Sequence, residues 1–262
     1  MQAPEADLAL IEEAAREAGR IAMRHFGGDR EGWQKPGGQG PLTNADLEID
    51  GMLKEYLRAA RPDYGWLSEE TPDGPERLSR ESIFVVDPID GTRAFIEGET
   101  TWCISIGIAT GGRASAGAIY RPARDLLYSA AVGAGARMNG QPISVSGMEA
   151  ERGATLLTSR ANLKAELWPG GVPPVSHKFR SSFANRLALV AQGRFDAMVS
   201  FRPAWDWDIA AGVVILDEAG GTVTDTMGAA PVFNGVDGKQ AGILAATPAV
   251  HGALLERMLG TT

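Results

Sequence analysis

The chain has 262 residues, 44% apolar and 22% charged, long enough to bury a sizeable core and too apolar for a disordered chain. Its 25 basic and 33 acidic residues leave a formal charge of −8, which disfavours nucleic acid or an anionic membrane as a partner. The single cysteine, Cys103, excludes an internal disulfide framework and a thiolate zinc cluster, and none of His25, His177 and His251 forms a local metal pair. The first residues are acidic, with no basic or apolar leader pattern, and no apolar run approaches about 18 residues. The expectation is a cytoplasmic chain with no membrane contact.

In chain order, residues 5–26 carry Leu8, Ile11, Ala15, Ala18 and Ala22 at helical spacing against a Glu/Arg face, which predicts an amphipathic helix. Residues 27–41 hold six glycines, two prolines and Lys35, the composition of a mobile loop. Thr43 with Asp46 three residues on is an acidic relative of the capping box and starts a second helix, striped by Ile49, Met52, Leu53, Tyr56 and Leu57. A turn-rich stretch, Pro62–Pro75, carries Glu69 and Glu70. Ile83–Val86 reads as a buried strand running into Asp87, and Cys103–Ala109, Ala116–Tyr120 and Leu126–Ala131 as antiparallel strands. Beyond about residue 150, strands near 155–157, 197–199, 222–224 and 243–245 alternate with helices near 182–192, 207–219 and 249–259. That alternation predicts a second, α/β-like lobe, so that one domain holds two intimate lobes, about 1–150 and 151–262.

Asp87-Pro-Ile-Asp90-Gly91-Thr92 is the stretch most suggestive of chemistry. Pro88 disfavours helix at Asp87, Asp90 can turn back toward Asp87, and Gly91 permits an unusual backbone angle or a close ligand approach. Two carboxylates held so make a hard oxygen site that suits Mg²⁺ better than zinc, and the N–H groups of Gly91, Thr92 and Arg93 can face a phosphate if a short helix starts there. The same residues also fit an Asp-rich turn closing a strand. Glu69–Glu70 alone fits a solvated loop, and Asp208, in Trp207-Asp-Ile-Ala-Ala-Gly212, fits a first-turn charge favoured by the helix dipole. Cys103, inside an apolar strand, reads as a core residue.

Taken together, Asp87-Pro-Ile-Asp-Gly-Thr92, Glu69–Glu70 and Trp207-Asp-Ile-Ala-Ala-Gly212 resemble the motifs of the inositol monophosphatase family of Mg²⁺-dependent, lithium-sensitive phosphomonoesterases. The resemblance covers nearly the whole chain and extends to Lys35, Thr43-Asn-Ala-Asp46, Gly193-Arg-Phe-Asp196 and Glu218-Ala-Gly-Gly221. It implies a layered αβαβα sandwich, with the site between two lobes. It also implies two to three Mg²⁺ ions: one on Glu69, Asp87 and the backbone carbonyl of Ile89, a second on Asp87, Asp90 and Asp208, and a third, weaker one on Glu69 with Asp46 nearby. The nucleophile is then a water activated by the ions and oriented by Thr92 and Glu69, with Lys35 on a loop that closes with metal; on its own, Lys35 also fits an ordinary surface lysine. Gly91, Thr92, Arg93, Ser182 and Asp208 are the implied substrate contacts, although Ser181 stands where the family often has glycine.

The branch is read from finer resemblance. Arg93-Ala-Phe95 departs from the inositol-type Asn-Phe ending, while Trp66–Thr71, Trp102–Ser105, Tyr120–Pro122 and Ala204–Gly212 look most like bacterial bisphosphate nucleotidases of the CysQ type. That branch removes the 3′-phosphate of 3′-phosphoadenosine 5′-phosphate, a by-product of sulfate assimilation. Inositol monophosphatase and histidinol-phosphatase are the alternatives, and a non-catalytic partner of the transcription machinery is a remote one. The expected partner is a small phosphorylated metabolite, with a homodimer left open. Trp205, Trp207 and Phe183 are candidates for a base-binding wall, Trp207 reading more readily as a core anchor. Arg180 and Arg202 are candidates for a second phosphate, each also fitting a solvated arginine.

Overall fold

The computed structural model describes residues 4–28, 30–35 and 40–261. Six α-helices occur among them: α1 (Pro4–Phe26), α2 (Asn44–Ala60), α3 (Thr92–Ile96), α4 (Phe183–Ala191), α5 (Asp206–Glu218) and α6 (Pro248–Leu259). A short antiparallel ribbon, β1 (Gly32–Gln34) with β2 (Pro41–Thr43), stands in the segment expected to be a loop throughout. Residues 29 and 36–39 of that segment lie outside the described residues.

Seven strands form the first sheet, in chain order across its width: β3 (Gly65–Ser68), β4 (Ser82–Asp90), β5 (Cys103–Thr110), β6 (Arg113–Arg121), β7 (Leu126–Ala131), β8 (Gly135–Met138) and β9 (Gln141–Pro142). Only β3 and β4 pair in parallel. The second sheet has five strands in the order β11-β10-β12-β16-β14, from β10 (Thr155–Leu157), β11 (Ser176–Lys178), β12 (Ala197–Ser200), β14 (Thr222–Thr224) and β16 (Ile243–Ala246). β13 (Ala204–Trp205) pairs with β15 (Lys239–Gln240) beside α5.

Side chains alternate across each strand, and that alternation builds the layers. On β4, Phe84 and Val86 join Ile104, Ile106 and Ile108 beneath α1 and α2, whereas Ile83 and Val85 face α4 and α5. The far sides of α4 and α5 meet Leu157, Met198, Ile243 and Ala245 of the second sheet. The other face of that sheet, Leu156, Val199, Leu244 and Ala246, packs against Val250, Leu254 and Met258 of α6. The order is helix, sheet, helix, sheet, helix, the layered sandwich expected from sequence.

Two details of this packing place the site. Asp87 continues the face that carries Ile83 and Val85, so its carboxyl points toward α4 and α5. In a regular strand Asp90, three residues on, would point the opposite way. The register shifts between Asp87 and Asp90 against β5, and this irregularity brings Asp90 back to the same side. The helix carrying Asp208 seats close to the sheet because Gly107 and Gly117, directly opposite each other on β5 and β6, leave no side chain under Ala210 and Ala211.

Candidate functional site

Asp87 and Asp90 at the end of β4 meet Asp208 in the first turn of α5, each offering a carboxylate oxygen within 4.8 Å of the others. They border a cleft of about 970 Å³ that Glu69, Gly91, Thr92, Arg93 and Ser182 also line. Glu69 reaches the cleft because β3 runs parallel to β4 with Ser68 beside Val86. The sequence reading of 62–75 as turn alone missed that strand; it has four residues, bounded by turns, and only its partner reveals it. Nor are Glu69 and Glu70 a solvated loop, since both side chains are largely covered and hold the Lys35 ammonium at 2.7 and 2.6 Å. Lys35 itself is buried, so it is not an ordinary surface lysine.

Each carboxylate has its own support. Asp90 Oδ2 accepts hydrogen bonds from Ser182 Oγ and the Ala184 backbone N–H, both at 2.7 Å, which ties β4 to the start of α4. Asp87 Oδ1 accepts from the Ile89 N–H at 3.0 Å. Asp208 Oδ2 accepts from the Trp205 N–H at 3.2 Å, so Asp208 is a first-turn helix acceptor as well as a member of the cluster. Asp46 closes the capping box expected at Thr43, accepting from the Thr43 N–H at 2.8 Å and its hydroxyl at 2.5 Å. Its other oxygen faces Thr92 Oγ1 at 3.3 Å, and that hydroxyl also lies 3.1 Å from the Ile89 carbonyl. A hydroxyl has one proton, so Thr92 donates to one of these at a time.

Backbone conformation matters at two points. Gly91 has φ 104°, a backbone conformation that favours glycine, and a Cβ there would sit close against Trp102 at 3.3 Å. Ser182 also has positive φ, 69°, an uncommon setting for a side chain; its hydroxyl bonds to Asp90 and the Asn185 N–H hold it there.

Electrostatics follow from the crowding. Burial, then Glu69 and Asp90, drives the Asp87 carboxyl well above its usual range. Burial, then Asp90 and Glu69, does the same to Asp208. Burial pushes Asp90 up to about 6 despite the Ser182 and Ala184 hydrogen bonds. Asp46 rises to about 6 and Glu70 to about 7, again chiefly through burial. Burial opposes the Lys35 charge, but Glu69 and Glu70 together outweigh it and raise its pKa. Carboxylates this close resist ionising together unless a cation lies among them. The donors are all oxygens, and no histidine or cysteine ligand joins the group among the described residues. Lys35 already places one positive charge on Glu69. This donor set fits a hard divalent cation.

Several sequence-level candidates resolve differently. Trp205 and Trp207 do not line the cleft. They stack on each other, centroids 4.4 Å apart, and face a second cavity of about 490 Å³ behind Glu69, with Lys239 Nζ 3.7 Å over the Trp205 ring. Their alternation places them on the far side of the turn that aims Asp208 forward, and Trp207 is the core anchor. Phe183 does border the cleft but is buried beneath arginines. Arg93, Arg180 and Arg202 are exposed in the cleft wall. Arg186, which sequence reasoning missed, is a buried cation in the same wall; the available signal was the one charged residue in a mostly apolar helix, Phe183–Ala191. Cys103 is buried in the core as expected, its thiol pushed well up by burial.

In an αβαβα sandwich, carboxylates converging from a strand end and a helix start on an open, arginine-lined cleft can hold a divalent cation beside a small anionic compound. Residues 4–261 match the model of the inositol monophosphatase family, and the chain belongs to that family, whose members are phosphatases. It is 33% identical to "Inositol monophosphatase 1" of Solanum lycopersicum over 84% of this chain and 85% of that protein. It is 30% identical to a histidinol-phosphatase of Chlorobaculum parvum, over 87% and 89% of the two chains. The solved inositol monophosphatase of Anabaena superposes with a TM-score of 0.81 at 28% identity, covering 97% of this chain and 96% of that one. No helix among the described residues is long and apolar enough to cross a membrane.

Proposed function

We propose that the chain is a Mg²⁺-dependent phosphomonoesterase that removes the 3′-phosphate of 3′-phosphoadenosine 5′-phosphate, acting as one domain whose two lobes meet along α4 and α5. The observation that carries the phosphatase reading is the convergence of Asp87, Asp90 and Asp208 within 4.8 Å at the wall of the cleft. Glu69, Asp87, the Ile89 carbonyl, Asp90 and Asp208 would hold the ions, with Asp46 beside them. Bound there, Mg²⁺ supplies Lewis acidity, neutralising phosphate oxygens and lowering the pKa of an attacking water.

The chain's own groups do the rest. The Thr92 hydroxyl, with its proton directed to Asp46 or the Ile89 carbonyl, presents a lone pair that orients water at the cleft. Asp46, with a pKa near 6, is poised to take up a proton passed along that hydroxyl at neutral pH. Ser182 and the Ala184 N–H fix Asp90 so that α4 and β4 hold one geometry. Gly91 and Arg93 line the cleft beside Asp90, Arg93 as an exposed cation.

The nucleotide assignment rests on the resemblance of Trp66–Thr71, Trp102–Ser105, Tyr120–Pro122 and Ala204–Gly212 to bisphosphate nucleotidases, and on the four arginines of the cleft wall, which suit a substrate more anionic than a monophosphorylated polyol; Arg93 fits the nucleotidase and histidinol-phosphatase branches alike. Inositol 1-phosphate or histidinol phosphate is the second reading, favoured by the names of the relatives. The test is phosphate release with Mg²⁺ from 3′-phosphoadenosine 5′-phosphate, inositol 1-phosphate, histidinol phosphate and fructose 1,6-bisphosphate. A kcat/KM preference of about a hundredfold for the nucleotide supports the assignment, and another winner replaces it.

A further inference from the structure

Arg186 is only 6% exposed, yet it lacks the partner a buried guanidinium normally has. Its Nε donates to the Ser182 carbonyl at 3.1 Å. Among the described residues its four Nη–H groups make no hydrogen bond, and no carboxylate stands within ion-pairing distance, although Asp90 and Asp208 are near enough to be felt electrostatically. Its Cζ lies 4.4 Å from the centre of the Phe183 ring, and the Cζ of Arg202 lies 4.8 Å from the same centre. One buried ring therefore gathers two guanidinium groups in the cleft wall, and Arg202 likewise has no side-chain hydrogen bond or ion pair among the described residues. Burial lowers the Arg186 pKa to about 10, and the charge of Arg202 adds to the lowering. Two like charges on one ring, near enough for Arg202 to depress the Arg186 pKa, are relieved by an oxyanion that both can reach from the cleft wall, and guanidinium forks match phosphate with two hydrogen bonds each. Arg180 differs: its Nη1 is taken by the Phe179 carbonyl at 2.6 Å, and its guanidinium lies over Phe195.

We infer that Arg186 and Arg202, braced on Phe183, form a second anion subsite that selects substrates carrying a second phosphate besides the one removed. This rests on the phosphatase reading above and assigns specificity within it. Arg186 is the buried anchor of the subsite and Arg202 its exposed arm.

The test uses the Mg²⁺-loaded full chain and two matched pairs: 3′-phosphoadenosine 5′-phosphate with adenosine 3′-phosphate, and fructose 1,6-bisphosphate with fructose 1-phosphate. The readout is the kcat/KM ratio of the bisphosphate to the monophosphate in each pair, for the wild type, Arg186→Gln, Arg186→Lys and Arg202→Gln. The wild type is expected to favour the bisphosphate in at least one pair, and which pair responds tells whether a nucleotide or a sugar supplies the second phosphate. Losing charge-assisted hydrogen bonds should cut that ratio about 10- to 100-fold in Arg186→Gln, with part regained in Arg186→Lys and a smaller drop in Arg202→Gln. The inhibition constant of adenosine 5′-phosphate, which lacks the scissile group, should rise alongside if the nucleotide pair responds. Arg202 is exposed, so Arg202→Gln keeps the test alive if the Arg186 variants do not fold. A ratio near one in the wild type, a ratio that no variant changes, or an equal fall for both members of each pair overturns the subsite. A wild type that hydrolyses only inositol 1-phosphate or histidinol phosphate overturns the subsite alone, and one that hydrolyses neither these nor any of the four compounds overturns the phosphatase reading itself.

Discussion

Replacing Gly117 by alanine should disturb the site without touching any of its side chains. An ideal Cβ at Gly117 would stand 2.5 Å from the Ala211 carbonyl oxygen, 2.7 Å from its Cα and 2.8 Å from Val214 Cγ1. Two of these neighbours are helix backbone, which cannot swing aside as a side chain can. Ordinary contact begins near 3.4 Å, so α5 must retreat by about 0.9 Å or the sheet must bend by as much. Overpacking of this kind costs roughly 1–3 kcal/mol, or about 3–10 °C in Tm for a chain of this size. Asp208 moves with α5, and a misplacement near 1 Å at a reacting centre costs on the order of a hundredfold in rate. Gly51→Ala is the matched comparison. Gly51 is exposed within α2, and nothing lies within 4 Å of its Cβ position, so alanine should stabilise the helix there by up to about 1 kcal/mol. Thermal melts and phosphate release from the preferred substrate read both effects. If Gly117→Ala melts and turns over like the wild type, direct seating of α5 on the strand backbone does not set the position of Asp208.

Metal-free protein should lose stability as pH rises from about 4 to 7. Asp46 and Asp90 titrate near 6 and Glu70 near 7 in the folded state, with Asp87 and Asp208 also raised, so the folded form binds more protons than the unfolded chain in that window. Buried His251, with a lowered pKa, opposes them as a single group. Melts in EDTA across that range should show Tm falling toward neutrality, and Mg²⁺ should flatten the slope; a Tm that climbs steadily in EDTA contradicts the raised carboxyls. Lys35→Gln leaves Glu69 and Glu70 facing each other without a cation, so its Tm should drop more in EDTA than in saturating Mg²⁺, and equal drops would mean the ammonium does not share a charge-balancing role with the ion. Asp87→Asn should keep the fold while lowering turnover at least a thousandfold or so, given how much a metal-centred site contributes; near-normal turnover in this variant, or in EDTA, would sink the metal-assisted mechanism.

Local sequence carried much of this architecture because the strongest signals were local. The Thr43–Asp46 cap, the apolar run into Asp87 and the stripe of α1 each follow from spacing within one element, and all stand in the structure. Asp87, Asp90, Asp208 and Glu69 were legible together only through resemblance, since their meeting depends on a register shift in β4, on glycines in β5 and β6, and on a parallel partner strand. Those are long-range facts that no window of residues contains. The β1–β2 ribbon was hidden by glycine and proline, and Trp205, a candidate for a base-binding wall, faces the other cavity with Trp207 because a helix start can present neighbouring residues to opposite cavities, while Trp207 is the core anchor its sequence favoured. Arg186 escaped notice because its meaning comes from missing partners, which only coordinates reveal.

The acidic cluster is assembled from distant stretches of chain: Asp87 and Asp90 close the end of a strand in the first sheet, while Asp208 arrives more than a hundred residues later on a helix docked against it. A ribosome releasing this chain would therefore finish the first sheet well before the last carboxylate emerges. Until that docking happens no three-carboxylate cradle exists, so a half-made or clipped product is chemically silent. The three-carboxylate cradle is thus a property of the completed fold and of no single segment.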